Sequence, residues 1–388
     1  MKRFLLILCI IFGISIPANC ANVGKFNILL TPDNSTFKNC HCYRINNNSF
    51  ISINTKDNNI IYSILNIDTN KYSAQGKING YSEADILPLK NGKIFIFGKN
   101  NPANDMPADA YVCIFNPNDN TYSKTAKIPY PTFGTSLLEL NNGNILVTGA
   151  NYKHDKVLEY DIKTNTFIQH PDLKEKRFGH KSIEIEPNKI LLLGGEGKNI
   201  EIYDLNNNTS EIIDIGLKTV NWGKNTKLYS IGNNNYLFFT KRVFNETDGS
   251  LTEATQVIDP ENPKSGYEKF YFRDYIGILN LQNKTIEEII PDEKFKLSGY
   301  DIELLPNNKV LIAGGTYSSV RNGLVTLNTA KTYDLKTKRL TSVDSKMNFP
   351  RETHKILKIN ENKYLIYEGI NDNSVFLKPE IFVYTSSK

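Results

Sequence analysis

Polar and apolar residues alternate in short segments along this chain, as in TSLLEL (135–140), HKSIEIE (180–186), YDIELLP (300–306) and THKILKIN (353–360). Alternation with a period of two marks a strand with one covered face. Across a break of Asn, Gly or Pro, each segment is followed by a run that is apolar throughout, such as ILLL (190–193) or VLIA (310–313). Such a run belongs to a strand covered on both faces. The breaks read KNGK, NNGN, EPNK, GNNN, PNNK and NENK in successive copies. Asn and Gly accept the positive φ that a tight hairpin demands, which accounts for much of the asparagine in the chain. A third segment ends in Tyr160-Asp161, Tyr203-Asp204 or Tyr333-Asp334, and after a turn such as IKTN or LKTK a short fourth segment completes the unit. Helical periodicity is nearly absent.

The unit repeats. KILLLGGEGKNIEIYDLNNNTSEI (189–212) recurs as KVLIAGG (309–315) with AKTYDLKTKRL (330–340), and as NILVTGA (144–150) with KVLEYDIKTNTF (156–167). Looser copies are KIFIFGK (93–99) with AYVCIFNPNDNTY (110–122) and KYLIYEG (363–369) with EIFVYTS (380–386). Two faint copies, beginning at FISINT (50–55) and NYLFFTK (235–241), bring the count to seven. One four-stranded blade cannot cover both of its faces, whereas a closed ring of blades does. The expectation is therefore an all-β, seven-bladed propeller of four-stranded antiparallel blades. The last copy stops after its third strand, while FNILLT (26–31) precedes the first copy without a partner. This segment is predicted to be the missing fourth strand that closes the ring. The one overlong step between copies holds an insertion at 241–275, rich in Tyr and Phe at its C-terminal end.

The first twenty residues, MKRFLLILCIIFGISIPANC, place Lys2 and Arg3 before a short apolar run and then small or polar residues. That is the form of a secretory signal, too short to span a bilayer. The expectation is a secreted, periplasmic or cell-surface protein, with lipidation of Cys20 as the lesser alternative. Residues 22–388 then form a single domain with no transmembrane segment. The formal net charge of +5 loses the two charges of Lys2 and Arg3 with the leader, and the +3 that remains is not the strong basic excess that would suggest nucleic acid. Cys40, Cys42 and Cys113 remain, an odd number that argues against a disulfide framework. CHC (40–42) lacks the two further ligands a zinc site needs, so Cys40 and Cys42 read as small buried residues on one strand face. No metal and no cofactor is expected.

With Gly194-Gly195 and Gly314-Gly315 after second strands, and the Tyr-Asp pairs at third strands, the chain resembles the Kelch-repeat β-propellers. Gly98-Lys99 and Gly149-Ala150 keep one glycine, and Arg177 with His180 and Arg351 with His354 stand where Kelch repeats often carry basic and histidine residues. The resemblance covers essentially the whole mature chain. It implies the bacterial, galactose-oxidase-like kind of propeller, some of whose members act on sugars. The tyrosine, histidine and cysteine set that a copper oxidase of this kind uses has no counterpart in the sequence.

Without a catalytic set, the reading favoured by the sequence is a binding module for a protein or glycan, acting through its loop face and without chemistry of its own. The alternative is a carbohydrate-active enzyme of epimerase or lyase type using carboxylates with Arg and His groups on that face. Arg177, His180, Arg351 and His354 are candidates at the channel mouth, although the repetition of the pair favours a structural role for them. His154, Arg321 and the single tryptophan, Trp222, fall on loops of the same face, where binding residues concentrate. Tyr267, Tyr271 and Arg273 of the insertion could stack on a sugar or anchor a partner.

Overall fold

The computed structural model describes residues 23–29, 40–81, 83–99, 110–130, 134–150, 155–195, 199–215, 220–221, 226–245, 270–289, 297–319, 323–371 and 377–385. These form seven antiparallel sheets, five of four strands and two of five, each containing the four strands of a blade, so the protein is a seven-bladed β-propeller. The innermost strands are His41–Asn46, Glu83–Pro88, Ser136–Glu139, Lys181–Glu186, Lys227–Gly232, Ser298–Leu305 and Lys355–Lys358, one for each of blades 1 to 7. As the alternation requires, they carry one covered and one polar face.

The apolar second strands are buried along their length, as Ile190 to Leu193 and Val310 to Ala313 show. Their side chains meet those of the next blade. The apolar core is therefore seven clusters, one between each neighbouring pair of blades, and none of them lies on the axis. The blade 7 to blade 1 cluster contains Cys40 and Cys42, whose sulfurs are 3.8 Å apart on one strand face, packed with Phe50, Leu365 and Ile381. Both are free thiols, as is buried Cys113.

The repeated residues explain themselves in the turns. Asp161, Asp204 and Asp334 accept the first amide N–H groups of the turn that follows, for example Lys163 N to Asp161 at 2.8 Å and Thr337 N to Asp334 at 2.8 Å. Each carboxyl is held below its ordinary range by those bonds; Asp204 is held low in the same way, chiefly by the side chain of Asn207. The tyrosines before them reach the preceding blade: Tyr203 donates to the carbonyl of Pro171 at 2.7 Å, and the Tyr160 and Thr125 hydroxyls are 2.7 Å apart. Asn70, Asn120, Asn165 and Asn208 all take positive φ at the ends of such turns.

Ring closure follows the expected route. Gly24–Ile28 pairs antiparallel with Glu380–Tyr384, with Phe26 opposite Phe382 and their ring centroids 4.7 Å apart. The insertion in blade 5 begins as an extension of the sheet. Its second and third strands, Asn235–Asn245 and Phe270–Asn280, stay in register from Asn235 opposite Asn280 to Asn245 opposite Phe270. A second projecting hairpin, Thr316 to Ser319 against Gly323–Thr326, leaves blade 6 on the same face.

Two outcomes are expected from this architecture. Deleting residues 22–32 removes the closing strand and leaves the blade 7 edge unpaired. Thermal melting should then fall sharply or give way to aggregation, whereas an unchanged melting temperature would refute closure by this segment. Gly314→Ala should cost at least about 2 kcal/mol in denaturant titration, because φ is +63° and an added Cβ would lie 2.4 Å from the Arg351 carbonyl oxygen.

Candidate functional site

Because the apolar surfaces meet between blades, the polar faces of the innermost strands are left to line the axis. They enclose a cavity of about 500 Å³ to which all seven blades contribute. That volume lies within the range of small-molecule sites. Four lysines and three aspartates line it: Lys181, Lys227, Lys241, Lys355, Asp85, Asp274 and Asp301.

Most of this charge is matched within the wall. The Lys227 ammonium lies 2.7 Å from Asp301 and 3.8 Å from Glu303, and donates to the carbonyls of Ile302 and Ile356 at 2.7 and 2.9 Å. Asp301 also accepts the Ile356 amide at 2.6 Å, so this cluster ties the adjacent blades 5, 6 and 7 together along the inner wall. Burial pushes both Asp301 and Glu303 up, and the Lys227 charge pulls them back. Lys355 pairs with Glu368 at 2.9 Å, and Asp85 accepts from the Thr135 amide and hydroxyl at 2.8 and 2.9 Å.

Asp274 is differently placed. It sits opposite Lys241 across the paired second and third strands of blade 5, at the foot of the insertion, and accepts the Tyr300 amide of blade 6 at 3.1 Å. Burial pushes its carboxyl up to about 7, and the Lys241 charge offsets this only in part.

The Arg and His pairs occupy equivalent positions in blades 4 and 7. Arg177 is fully buried and donates to the carbonyls of Gly194 and Asn199 at 3.0 and 2.8 Å and to Glu201 at 3.3 Å. Arg351 repeats this with the carbonyls of Glu368 and Lys378 at 3.0 and 2.9 Å and with Glu380 at 2.7 Å. Each arginine thus clamps the loop between the second and third strands of its own blade, and neither lines the cavity. His180 and His354 do line it. Each packs on a glycine of the preceding blade: a Cβ at Gly149 would lie 2.8 Å from His180, and one at Gly314 would lie 2.6 Å from His354.

Between the two histidines the repeat breaks. His180 Nε2 is 2.8 Å from the Thr148 hydroxyl. The matching residue before Gly314 is Ala313, and both ring nitrogens of His354 lack a hydrogen-bond partner although the residue is only 4% exposed. Burial holds both histidines well below their ordinary range, with the neighbouring arginines adding to the effect.

Of the other sequence candidates, Trp222, His154, Arg321 and Tyr267 lie outside the described residues. Tyr271 and Arg273 lie on the paired arm of the insertion, opposite Phe244 and Arg242, and Arg273 is half-buried. The cavity brings together His180 and His354 with a set that the sequence reading missed: Asp85, Lys227, Lys241, Asp274 and Asp301. Part of the signal was present, because Asp301 and Glu303 are the polar positions of the alternating segment YDIELLP. Among the described residues no group of three or more His, Cys, Asp or Glu could hold a metal ion, and no helix is long and apolar enough to cross a membrane.

Fold and site together define a seven-bladed β-propeller with a polar axial cavity. No family pattern and no curated protein matches the sequence. Among solved structures, a fungal alcohol oxidase of the AA5 family in complex with copper superposes with a TM-score of 0.42 at 15% identity, over 78% of this chain and 74% of that one.

The titrations have opposite signs, which makes them separable. Asp274 ionises later in the folded than in the unfolded chain, so it costs stability as pH rises from about 4 to about 7. His180 and His354 stay neutral in the folded chain, so stability falls as pH drops below about 6.5, where the unfolded chain takes up the protons. In calorimetric melting from pH 4 to pH 8, Asp274→Asn should gain most over the parent at pH 8, and His354→Phe should gain most at low pH. Parallel curves for parent and variant would refute the assignment for that residue.

Proposed function

We propose that this protein is a Kelch-type binding propeller, exported by its N-terminal leader, that recognises a glycan or protein ligand at the channel mouth on its loop face. The observation that carries the reading is the axial cavity of about 500 Å³, which all seven blades line with Lys, Asp, Ser, Thr and His among apolar side chains. Pairing of charge within its wall suits recognition by directed hydrogen bonds. Loops raised on a rigid ring supply the surface on which a larger ligand rests.

A second reading, a carbohydrate-active enzyme of epimerase or lyase type, is favoured by one observation. The Asp274 carboxyl titrates near 7 beside Lys241, where a group that accepts and returns a proton works best.

A glycan array probed with the leaderless protein, alongside a Ser182→Trp variant that fills the cavity, tests the proposal. The expected result is a defined set of bound glycans, lost in the variant while its circular dichroism is unchanged. Release of altered sugar from a bound glycan would favour the enzyme, and binding that survives the filled cavity would refute the channel as the site.

A further inference from the structure

The chemistry of the ligand is written in which polar groups of the cavity are still open. Lys227 and Lys355 are neutralised by acids at 2.7 and 2.9 Å, Lys181 has an interaction of its own, Arg177 and Arg351 are spent inside their blades, and the remaining lysine, Lys241, has its charge matched by Asp274 opposite it. A charged ligand would therefore enter without a counter-charge in reserve, and leaving a charge unpaired in a cavity is costly. His354 is different. It is buried against the cavity with neither ring nitrogen bonded, whereas its counterpart His180 leaves only Nδ1 open and has the Thr148 hydroxyl 2.8 Å from Nε2.

A neutral imidazole has one donor and one acceptor nitrogen, the complement of a hydroxyl group. Asp274 lies on the same side of the cavity. It accepts the Tyr300 amide at 3.1 Å, next in sequence to Gly299, whose carbonyl accepts the Thr353 amide at 2.7 Å, and Thr353 adjoins His354. The groups facing Asp274 are Lys241 across the blade 5 strands and Tyr300 and Asp301 on blade 6. Only Lys241 among them is exposed.

We propose that His354, Asp274 and Lys241 form a subsite on the blade 5 to blade 7 side of the channel mouth for the hydroxyl groups of an uncharged saccharide unit. This rests on the channel mouth being the ligand site, and it adds which wall holds the ligand and what the ligand's charge is. His354 exchanges hydrogen bonds with one hydroxyl, and Asp274 accepts from, and Lys241 donates to, an adjacent one. The loss of a threonine at Ala313 is what leaves His354 open.

The test is isothermal titration calorimetry of the full leaderless chain with galactose, mannose and N-acetylglucosamine, and with glucuronate and glucosamine as charged probes. At least one neutral sugar should bind, and at least tenfold more tightly than either charged probe. Asp274→Asn and His354→Phe should each weaken that binding about tenfold or more, and Asp274→Asn should abolish its decline between pH 8 and pH 6. Ala313→Thr removes no ligand-binding group but offers His354 the hydroxyl that Thr148 offers His180, so it should weaken binding in a protein that melts no lower than the parent.

Tighter binding of a charged probe overturns the inference, as does the absence of binding by every sugar. Neutral-sugar binding that survives all three variants but is lost in Ser182→Trp overturns the subsite and leaves the channel reading standing. Binding that survives Ser182→Trp as well refutes the channel itself.

Discussion

Burial between blades is the constraint on which this structure rests. Each sheet presents apolar surface on both faces, and the seven clusters show that each face is covered only by a neighbour. A single blade would leave both faces in water, at about 25 cal/mol for every Å² of apolar surface left uncovered. No blade is stable alone, and the ring has no optional member. The polar axis is a direct result: with the apolar residues drawn into the seams, the inner faces of the first strands are free to carry Lys, Asp, Thr and His.

Within that frame, repeated residues serve the ring and broken repeats mark the site. Arg177 and Arg351 make nearly the same set of bonds in blades 4 and 7, each to two carbonyls and a buried glutamate. The glycines beneath His180 and His354 let the next blade's backbone approach, with Ala150 and Gly315 donating to the carbonyls of Arg177 and Arg351 at 3.2 and 2.9 Å. Where Thr148 is matched by Ala313, packing is kept and a hydrogen bond is lost. A buried polar group without a partner is costly, so such a site points to a role outside the ring.

The fold was legible in the sequence because it is set by local periodicity. Alternation, apolar runs and Asn turns recur at each blade, and the orphan strand at FNILLT declared its own partner by elimination. The site was legible only in part. His180 and His354 stood out through their repeat position, but Arg177 and Arg351 read equally as mouth groups, since burial of an arginine is decided by carbonyls on a loop further along the chain. The Lys227 cluster draws residues from blades 5, 6 and 7, and Asp274 meets Lys241 only because the insertion begins as a continued ladder. No short window of sequence contains such pairings.

Closure of the ring by Gly24–Ile28 against Glu380–Tyr384 sets an order on synthesis. The earliest strand of the ring waits for the latest, so blades can form in sequence but the seams at blade 7 cannot be completed until Glu380–Tyr384 has been made. Contacts so distant along the chain form slowly. The nascent chain therefore keeps an open, strand-competent end throughout its production. That state makes the interval before closure the period of greatest exposure to aggregation and proteolysis.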